Sequence, residues 1–328
     1  MPIDKRSFGT PRVSVLMTVY NGAMFLRESI DSILAQTFPD WELIAVDDGS
    51  TDASPLILAD YSDSRVRVFP LAKNIGRTPA LRYAFDNARG EYIAVLDQDD
   101  ISHPARLERQ VKYLEEHRDC VLVGSWAEHI DEEGQVFAWF SPPTDQNEII
   151  DFLGYRNPFV HSSVMYQKEA ALVVGGYPSE IVYAQDYGLI LKLAQKGKIA
   201  IINEYLCKFR VLRGSMSNAS RYRIDIQKDD IVLLNYARKT LPLSASACRL
   251  NRRSIAKKKI KYGMALVRKN ILLGIKMILS GIAHDPTALW MNGKIFKVFG
   301  KYDGFVRRCP QSKIKKVLTK LLNSHYKP

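Results

Sequence analysis

Cysteine is scarce in this chain, and its spacing argues against a fold held together by disulfides or zinc. The 328 residues contain four cysteines, at positions 120, 207, 248 and 309, and no two of them form a CxxC pair. No histidine stands at zinc-finger spacing from them. This pattern fits a protein of a reducing cytosol.

Long uninterrupted apolar runs and a dinucleotide fingerprint are also missing. Residues 1–12 carry charges and a proline but no apolar stretch, so they do not predict a signal peptide. Arg268, Lys269 and Lys276 interrupt the apolar run near residue 271, which argues against a transmembrane span. No GxGxxG follows the first apolar run, which argues against a nicotinamide or flavin site.

Short apolar runs alternating with helical patterns are what the first hundred residues do contain. Near-continuous runs at residues 13–20, 41–47 and 91–96, with a shorter run at 66–69, predict buried parallel strands. Apolar residues at helical spacing separate them, so we predict a doubly wound α/β half. Further along, the pattern predicts helices over 106–117 and 186–195 and strands over 121–124 and 199–209.

An acidic turn, Asp97-Gln98-Asp99-Asp100, follows the run at residues 91–96. Carboxylates two residues apart at a strand end can face the same side, and in an open α/β sheet that side faces the ligand crevice. Their oxygens suit Mg²⁺ or Mn²⁺, which in such sites is usually shared with substrate phosphates. The alternative is a turn that caps a helix, since His103-Pro104 follows.

Several short motifs occur in an order similar to that of family 2 glycosyltransferases, which are inverting enzymes that use nucleotide sugars. They are Val13–Asn21, the block Val46-Asp-Asp-Gly-Ser-Thr-Asp52, Asn74-Ile-Gly76, Glu91–Asp100 and Gln185-Asp186-Tyr187. The resemblance covers roughly residues 11–217. It implies the GT-A fold, a Rossmann-like, doubly wound mixed sheet with a mostly parallel core, followed here by a basic helical extension.

The resemblance also implies a division of the chain. Residues 11–240 would form the catalytic domain, with a nucleotide-sugar-binding half (11–124) and an acceptor-binding half (125–240). The resemblance offers little beyond residue 249, and the basic amphipathic pattern of residues 241–328 predicts a mainly helical C-terminal extension.

The resemblance implies a set of nucleotide-sugar-binding residues: Thr18, Tyr20, Asp48, Asn74, Gly76, Arg77, Asp97 and Arg213. Thr18 and Tyr20 end the first strand, where a nucleobase would lie, and Asp48 would hydrogen-bond the base. Backbone N–H groups at Asn74 and Gly76 open a helix and suit diphosphate oxygens. The alternatives are a strand terminus with a packing tyrosine and, at Arg77, a solvated side chain.

Two aspartates of the acidic turn match the Asp-x-Asp motif of the family. The match implies that Asp99 ligates a divalent cation, Mn²⁺ or Mg²⁺, and that Asp97 contacts the ribose or the metal. Arg213 stands where the family has a histidine, and an arginine there would neutralise a diphosphate by its charge and cannot ligate a metal.

Asp186 matches the general base of the family, and Gln185 precedes it in the same motif. An inverting transfer needs one carboxylate to take the proton of the acceptor hydroxyl. The alternative role for Asp186 is a helix N-cap. His161 lies in a loop that in the family approaches the sugar and the acceptor, and the alternative is a structural hydrogen bond beside Ser162.

Charge is distributed unevenly along the chain. Residues 249–328 contain 20 Lys and Arg but two acids, a net charge of +18, whereas the first 248 residues carry 27 basic and 33 acidic side chains, a net charge of −6. Basic amphipathic helices predicted near residues 257–279 and 313–322 would bind an anionic membrane, or else pack on the catalytic domain with a solvated basic face. No aromatic-interleaved motif supports a nucleic-acid partner.

Together these patterns predict a transferase that moves a sugar from a nucleotide sugar, with UDP-sugars favoured by the resemblance, to a glycan or lipid-linked acceptor. The expected location is the cytoplasm or the inner face of the cell membrane, in assembly of surface polysaccharide or glycolipid. Two rivals are a glycoside hydrolase with two carboxylates and a non-catalytic scaffold that binds polyanions or membranes.

Overall fold

Strands and helices alternate through the first hundred residues of the computed structural model, which describes residues 10–212, 223–267, 270–285 and 287. The elements in order are Val13–Val19 (β1), Leu26–Leu34 (α1), Trp41–Asp47 (β2), Ser54–Ala59 (α2), Val66–Pro70 (β3), Arg77–Asn87 (α3) and Tyr92–Val95 (β4). β1 pairs in parallel with β2 and β4, and β2 pairs in parallel with β3. The predicted α/β half is therefore present.

The next segment adds strands of both directions. Its elements are Ile101–Ser102 (β5), Arg106–Glu116 (α4), Cys120–Ile130 (β6), Val136–Phe140 (β7), Gln146–Leu153 (α5), Met165–Gln167 (β8), Lys168–Val173 (α6), Gln185–Leu193 (α7) and Lys198–Arg210 (β9). A 3₁₀ turn over His161–Ser163 precedes β8. β8 joins the two halves because it pairs antiparallel with both β4 and β6.

All nine strands of the described residues belong to one mixed sheet of order β3-β2-β1-β4-β8-β6-β9-β5, with β7 paired to β6. The strand predicted over 121–124 runs on to Ile130 and turns back as the hairpin strand β7, which the sequence did not predict. Half-exposed polar residues such as Glu128 and His129 break the apolar run there, so the hydrophobic pattern stops before the strand does.

Two apolar layers cover the sheet and fix the register of its central strands. Residues of α1 and α4 pack with one side of β1 and β2, and residues of α3, α5 and α7 pack with the other. All seven residues of β2 are buried, as expected of a central parallel strand. Val19 of β1 lies beside Asp47 of β2, and Asp47 lies beside Pro70 of β3, so the following loops leave the sheet at one edge.

Three helices follow the sheet: Arg223–Thr240 (α8), Ala245–Leu266 (α9) and Ile271–His284 (α10). Leu233 of α8 and Ile255 of α9 belong to the core that includes α7, although the predicted domain boundary at 240/241 lies between these two helices. α10 packs on α9. No helix in the described part of the chain is long and apolar enough to cross a membrane. The basic helix predicted over 313–322 lies outside the described residues.

Candidate active site

Loops that follow β1, β2 and β3 contact one another at the carboxyl edge of the sheet. The Asn21 side-chain oxygen accepts a hydrogen bond from the Thr51 N–H at 2.8 Å, and the Asn21 N–H donates to Ser50 Oγ at 3.0 Å. Gly49 has a φ of +69°, and a Cβ there would lie 2.6 Å from the backbone nitrogen of Asn74. Glycine is therefore required where these loops cross.

Asp48 fastens the loop before α3. Its two carboxylate oxygens accept hydrogen bonds from the N–H groups of Ile75 at 2.7 Å and Gly76 at 3.0 Å, and the residue is 3% exposed. Burial raises the pKa of this carboxyl, against the lowering effect of the two N–H groups. The Gly76 N–H that we expected to face a diphosphate thus donates to Asp48, while Asn74 is exposed.

Tyr20, expected near a nucleobase, is 47% exposed at the end of β1, and Thr18 is half-buried. The Gln98 side chain pairs with the backbone of Tyr20: the Tyr20 N–H donates to Gln98 Oε1 at 2.8 Å, and Gln98 Nε2 donates to the Tyr20 carbonyl at 3.2 Å. This pair holds the end of β1 beside the acidic turn. Gln98 could not be predicted as a site residue, because it occupies the variable position between two aspartates, where nothing local marks a long-range contact.

Arg77 is the cation around which the acidic residues gather. Its Nη2 donates to Asp97 Oδ2 at 2.5 Å, and His161 Nδ1 lies 3.4 Å from Asp97 Oδ1. Burial raises the pKa of the Asp97 carboxyl, but Arg77 and then His161 outweigh burial and hold that pKa well below its ordinary value. Burial lowers the pKa of Arg77, whereas the charges of Asp97, Asp186 and Asp99 raise it, with a raised pKa as the net result. The structure therefore brings together five of the predicted site residues, Arg77, Asp97, Asp99, His161 and Asp186.

Asp99 has no comparable partner. Burial, and after it the negative charge of Asp97, raise the pKa of the Asp99 carboxyl to about 6. Arg210 Nε donates to the backbone carbonyl of Asp99 at 3.0 Å, and among the described residues no side chain donates to the Asp99 carboxylate. The charges of Arg77 and Arg210 lower the pKa of this carboxyl, but by less than burial and Asp97 raise it.

A divalent cation fits this arrangement as a shared ligand. No group of three or more His, Cys, Asp or Glu side chains in the described part of the chain is arranged to enclose a metal. Mg²⁺ and Mn²⁺ sites commonly use one or two carboxylates and complete their coordination with substrate phosphates and water. Asp97 and Asp99 supply that number of carboxylates.

Asp100 fixes the acidic turn to two other segments. It is 1% exposed, and it accepts hydrogen bonds from the Ser162 hydroxyl and from the Arg210 N–H at 2.8 Å. The Ser162 hydroxyl in turn accepts from the Asp97 N–H at 3.0 Å. Burial and the charges of Asp99 and Asp97 raise the pKa of the Asp100 carboxyl. Arg213, predicted in the loop after β9, lies outside the described residues.

Asp186 stands in the first turn of α7 and is half-buried. Asn157 Nδ2 donates to Asp186 Oδ2 at 3.0 Å, while Asn157 Oδ1 accepts from the Phe159 N–H at 3.0 Å. The N-cap of α7 is Ala184, with no side-chain capping bond, so the alternative role of Asp186 as an N-cap is not what the structure has. Gln185 is 2% exposed, and its side-chain oxygen has no hydrogen-bond partner among the described residues.

An open sheet with aspartates at the carboxyl ends of its parallel strands is an architecture for binding nucleotides and their metal ions. The chain matches the model of glycosyl transferase family 2 over residues 14–172. It is 37% identical to an uncharacterized glycosyltransferase of Methanocaldococcus jannaschii over 61% of this chain and 71% of the relative. A glycosyltransferase of Rickettsia typhi is 30% identical over 67% of this chain and 70% of the relative. The chain belongs to glycosyl transferase family 2.

Solved structures confirm the predicted GT-A fold. Staphylococcus aureus TarS in complex with UDP-GlcNAc superimposes with a TM-score of 0.62 at 18% identity, over 83% of this chain and 79% of that one. A mannosyltransferase from Pyrobaculum calidifontis in complex with GDP-Man and Mn²⁺ gives a TM-score of 0.56 at 20% identity, over 97% of this chain and 89% of that one.

Proposed function

We propose that this family 2 glycosyltransferase is an inverting, metal-dependent hexosyltransferase that uses a nucleotide sugar, with a UDP-sugar as the expected donor. The acceptor is a glycan or a lipid-linked glycan of surface polysaccharide or glycolipid assembly. The observation that carries the proposal is the gathering of Asp97, Asp99 and Asp186 around Arg77 at the carboxyl edge of the parallel strands. The UDP-GlcNAc of TarS and the GDP-Man and Mn²⁺ of the mannosyltransferase support a nucleotide-sugar donor.

In the proposed reaction Asp186 acts as general base. The oxygen of the acceptor hydroxyl attacks the anomeric carbon of the donor sugar, and its proton passes to the Asp186 carboxylate. The new glycosidic bond forms as the bond from the anomeric carbon to the diphosphate breaks, and the nucleoside diphosphate keeps that electron pair. The Asn157 amide, which donates to Asp186 Oδ2, leaves Oδ1 as the oxygen that receives the proton.

Asp99 is the residue proposed to ligate the divalent cation, and Asp97 contacts the donor or the metal. A divalent cation bound there supplies Lewis-acid stabilisation of the charge that develops on the diphosphate. Arg77 orients Asp97 through their ion pair. His161 supports the same carboxylate and reaches the Tyr177 hydroxyl at 3.1 Å through its second nitrogen.

Nucleotide-dependent thermal stability tests the proposal. UDP, GDP, CDP and dTDP are each added with Mn²⁺ or with a chelator to the wild type and to Asp99→Ala. The matched control is Asp86→Ala, which removes an exposed acid of α3. One nucleotide is expected to raise the melting temperature in the presence of Mn²⁺, in the wild type and the control but not in Asp99→Ala.

Nucleotide-dependent stability and glycoside cleavage together distinguish the two rival functions. A polyanion-binding scaffold would show no nucleotide-dependent shift, and a glycoside hydrolase would cleave a glycoside without any nucleotide. No shift with any nucleotide would refute the donor site. If a shift is found, Asp186→Asn is expected to retain it and to lower transfer at least about a hundredfold, as loss of a general base does.

We also propose that the C-terminal helices bring the catalytic domain to an anionic membrane. α9 contains seven Lys and Arg and no acid, and in α10 Leu272 is 66% and Leu273 40% exposed. A basic helix beside an exposed apolar one suits a surface of anionic lipid. The full chain is expected to float with phosphatidylglycerol vesicles, to be released by high salt, and not to bind phosphatidylcholine vesicles. Equal binding to both vesicles, or to neither, would contradict this.

A further inference from the structure

A group of aromatic side chains on the β6–β7 hairpin and β9 lies outside the two main apolar cores. The His129 ring is 6.3 Å from the Phe137 ring, 6.0 Å from the Phe140 ring and 5.4 Å from the Phe209 ring, measured between centroids. We call these four residues the aromatic cluster. The Arg156 guanidinium lies 5.8 Å from the centroid of the Phe140 ring.

Residues next to the aromatic cluster in the chain contact the proposed active site. Arg156, which contacts Phe140, immediately precedes Asn157, the residue that donates to Asp186. Phe209 immediately precedes Arg210, whose N–H and Nε donate to Asp100 and to the Asp99 carbonyl. Arg210 Nη1 also donates to the carbonyls of Asp131 at 2.9 Å and Glu132 at 3.1 Å, in the turn between β6 and β7, so Arg210 joins the hairpin that carries the cluster to the acidic turn.

Packing alone does not account for the exposure of these rings. Phe137 is 54% exposed, and His129, Phe140 and Phe209 are half-buried. Burial of a phenylalanine side chain stabilises a folded protein, and Phe137 forgoes much of that stabilisation. A ligand that covers the rings would recover it.

The polar groups of the patch indicate what kind of ligand that is. His129 and the exposed Arg156 border the rings, so the patch alternates apolar faces with hydrogen-bonding groups. Burial, and then the charge of Arg156, lower the pKa of His129, which leaves a neutral imidazole with one donor and one acceptor at pH 7. A sugar ring has an apolar C–H face and a rim of hydroxyls that match this pattern, whereas an acyl chain needs a continuous apolar groove.

We infer that the aromatic cluster is a saccharide subsite for the acceptor, in which a sugar ring stacks on Phe137 and is hydrogen-bonded by His129 and Arg156. The inference rests on the proposed function, because the subsite places an acceptor hydroxyl toward Asp186. It assigns recognition of the acceptor to its glycan part, whether or not a lipid follows.

Binding of the full chain to a glycan array, in the presence of UDP and Mn²⁺, tests the subsite. Phe137→Ala is compared with Trp139→Ala, which removes a 61% exposed ring of the same strand that none of the described rings contacts. The wild type and Trp139→Ala are expected to bind the same glycans, and Phe137→Ala to bind them about tenfold more weakly. Because Phe137 is largely exposed, both variants are expected to fold.

Three results would overturn the subsite: equal binding by Phe137→Ala and the wild type, an equal loss in Trp139→Ala, or no glycan bound by the wild type. Nucleotide-dependent thermal stability is measured on the same samples. If Phe137→Ala keeps the wild-type nucleotide shift but also keeps full glycan binding, the subsite fails and the proposed donor site stands. If the wild type shows no nucleotide shift, the proposed function itself fails.

Discussion

Asp99→Asn is expected to stabilise the metal-free protein. Burial and the charge of Asp97 raise the pKa of the Asp99 carboxyl from its ordinary value of 3.8 to about 6. A raised pKa means that the ionised Asp99 carboxylate destabilises the folded state, and each pKa unit corresponds to about 1.4 kcal/mol of unfolding free energy. A shift of about two units therefore costs about 3 kcal/mol at pH 8, and the neutral, nearly isosteric asparagine removes this cost.

The stability difference between Asp99→Asn and the wild type is expected to depend on pH. Between pH 4 and pH 6 the folded wild type binds a proton at Asp99 that the unfolded chain does not, so falling pH stabilises the wild type relative to Asp99→Asn. The advantage of the variant is expected to shrink from about 3 kcal/mol at pH 8 toward zero near pH 4. Other carboxyls titrate in both proteins, so the difference between the two isolates Asp99.

Urea unfolding in the presence of a chelator, from pH 5 to pH 8, measures this difference. Asp97→Asn is the matched control two residues away. Arg77 and His161 hold the pKa of Asp97 low, so that control is expected to lose stability at pH 8. If Asp99→Asn is no more stable than the wild type at pH 8, or if its advantage does not vary with pH, Asp99 is not an under-compensated carboxylate and the reasoning fails.

Two further predictions concern the scaffold of the site. Glu42 is 1% exposed and accepts hydrogen bonds from Ser14 and two arginines. These partners outweigh burial and lower the pKa of the Glu42 carboxyl. The free energy of unfolding of Glu42→Gln is therefore expected to be about 3 kcal/mol lower than that of the wild type at pH 7. The stability that ionised Glu42 contributes is lost as the pH falls below 4.5, the ordinary pKa of a glutamate. The difference in urea unfolding between the wild type and Glu42→Gln should therefore shrink at low pH, and a difference that stays constant would contradict this prediction. Gly49→Ala is expected to cost more than Gly134→Ala in thermal unfolding: both have positive φ, but a Cβ at Gly134 meets nothing closer than 4.0 Å. Equal losses of stability in the two variants would show that the positive φ, and not the contact of the added Cβ, determines the loss at each position.

Much of the fold of the first hundred residues could be predicted from the sequence, because the strands there are nearly continuous apolar runs. β1, β2 and β4 lie where those runs stand, and the acidic turn follows β4 as expected. The extension of β6 and the pairing of β7 could not be predicted in this way. Half-exposed strands there alternate irregularly, and a shift of register occurs between His129 and Ile130.

The partners of the site residues were the part that sequence could not supply. Motif order places Asp48 and Gly76 on neighbouring loops, but only the register of β2 against β3 shows that the carboxylate of one accepts from the N–H of the other. In the same way, an ion pair between residues 77 and 97 depends on how α3 packs on β1 and β2. Such contacts join distant positions, and no local pattern of the chain records them.

The two aspartates of the Asp-x-Asp motif have unequal environments, which agree with the different roles that the motif implies for them. Arg77 and His161 already balance the charge of Asp97, so this residue stays ionised without a metal. Asp99 is buried beside that charge with less compensation, and its raised pKa measures the deficit. Groups whose environments push their pKa values apart take different roles. This difference supports the proposed roles, in which Asp99 would bind the cation and Asp97, paired with Arg77, would contact the donor or the metal.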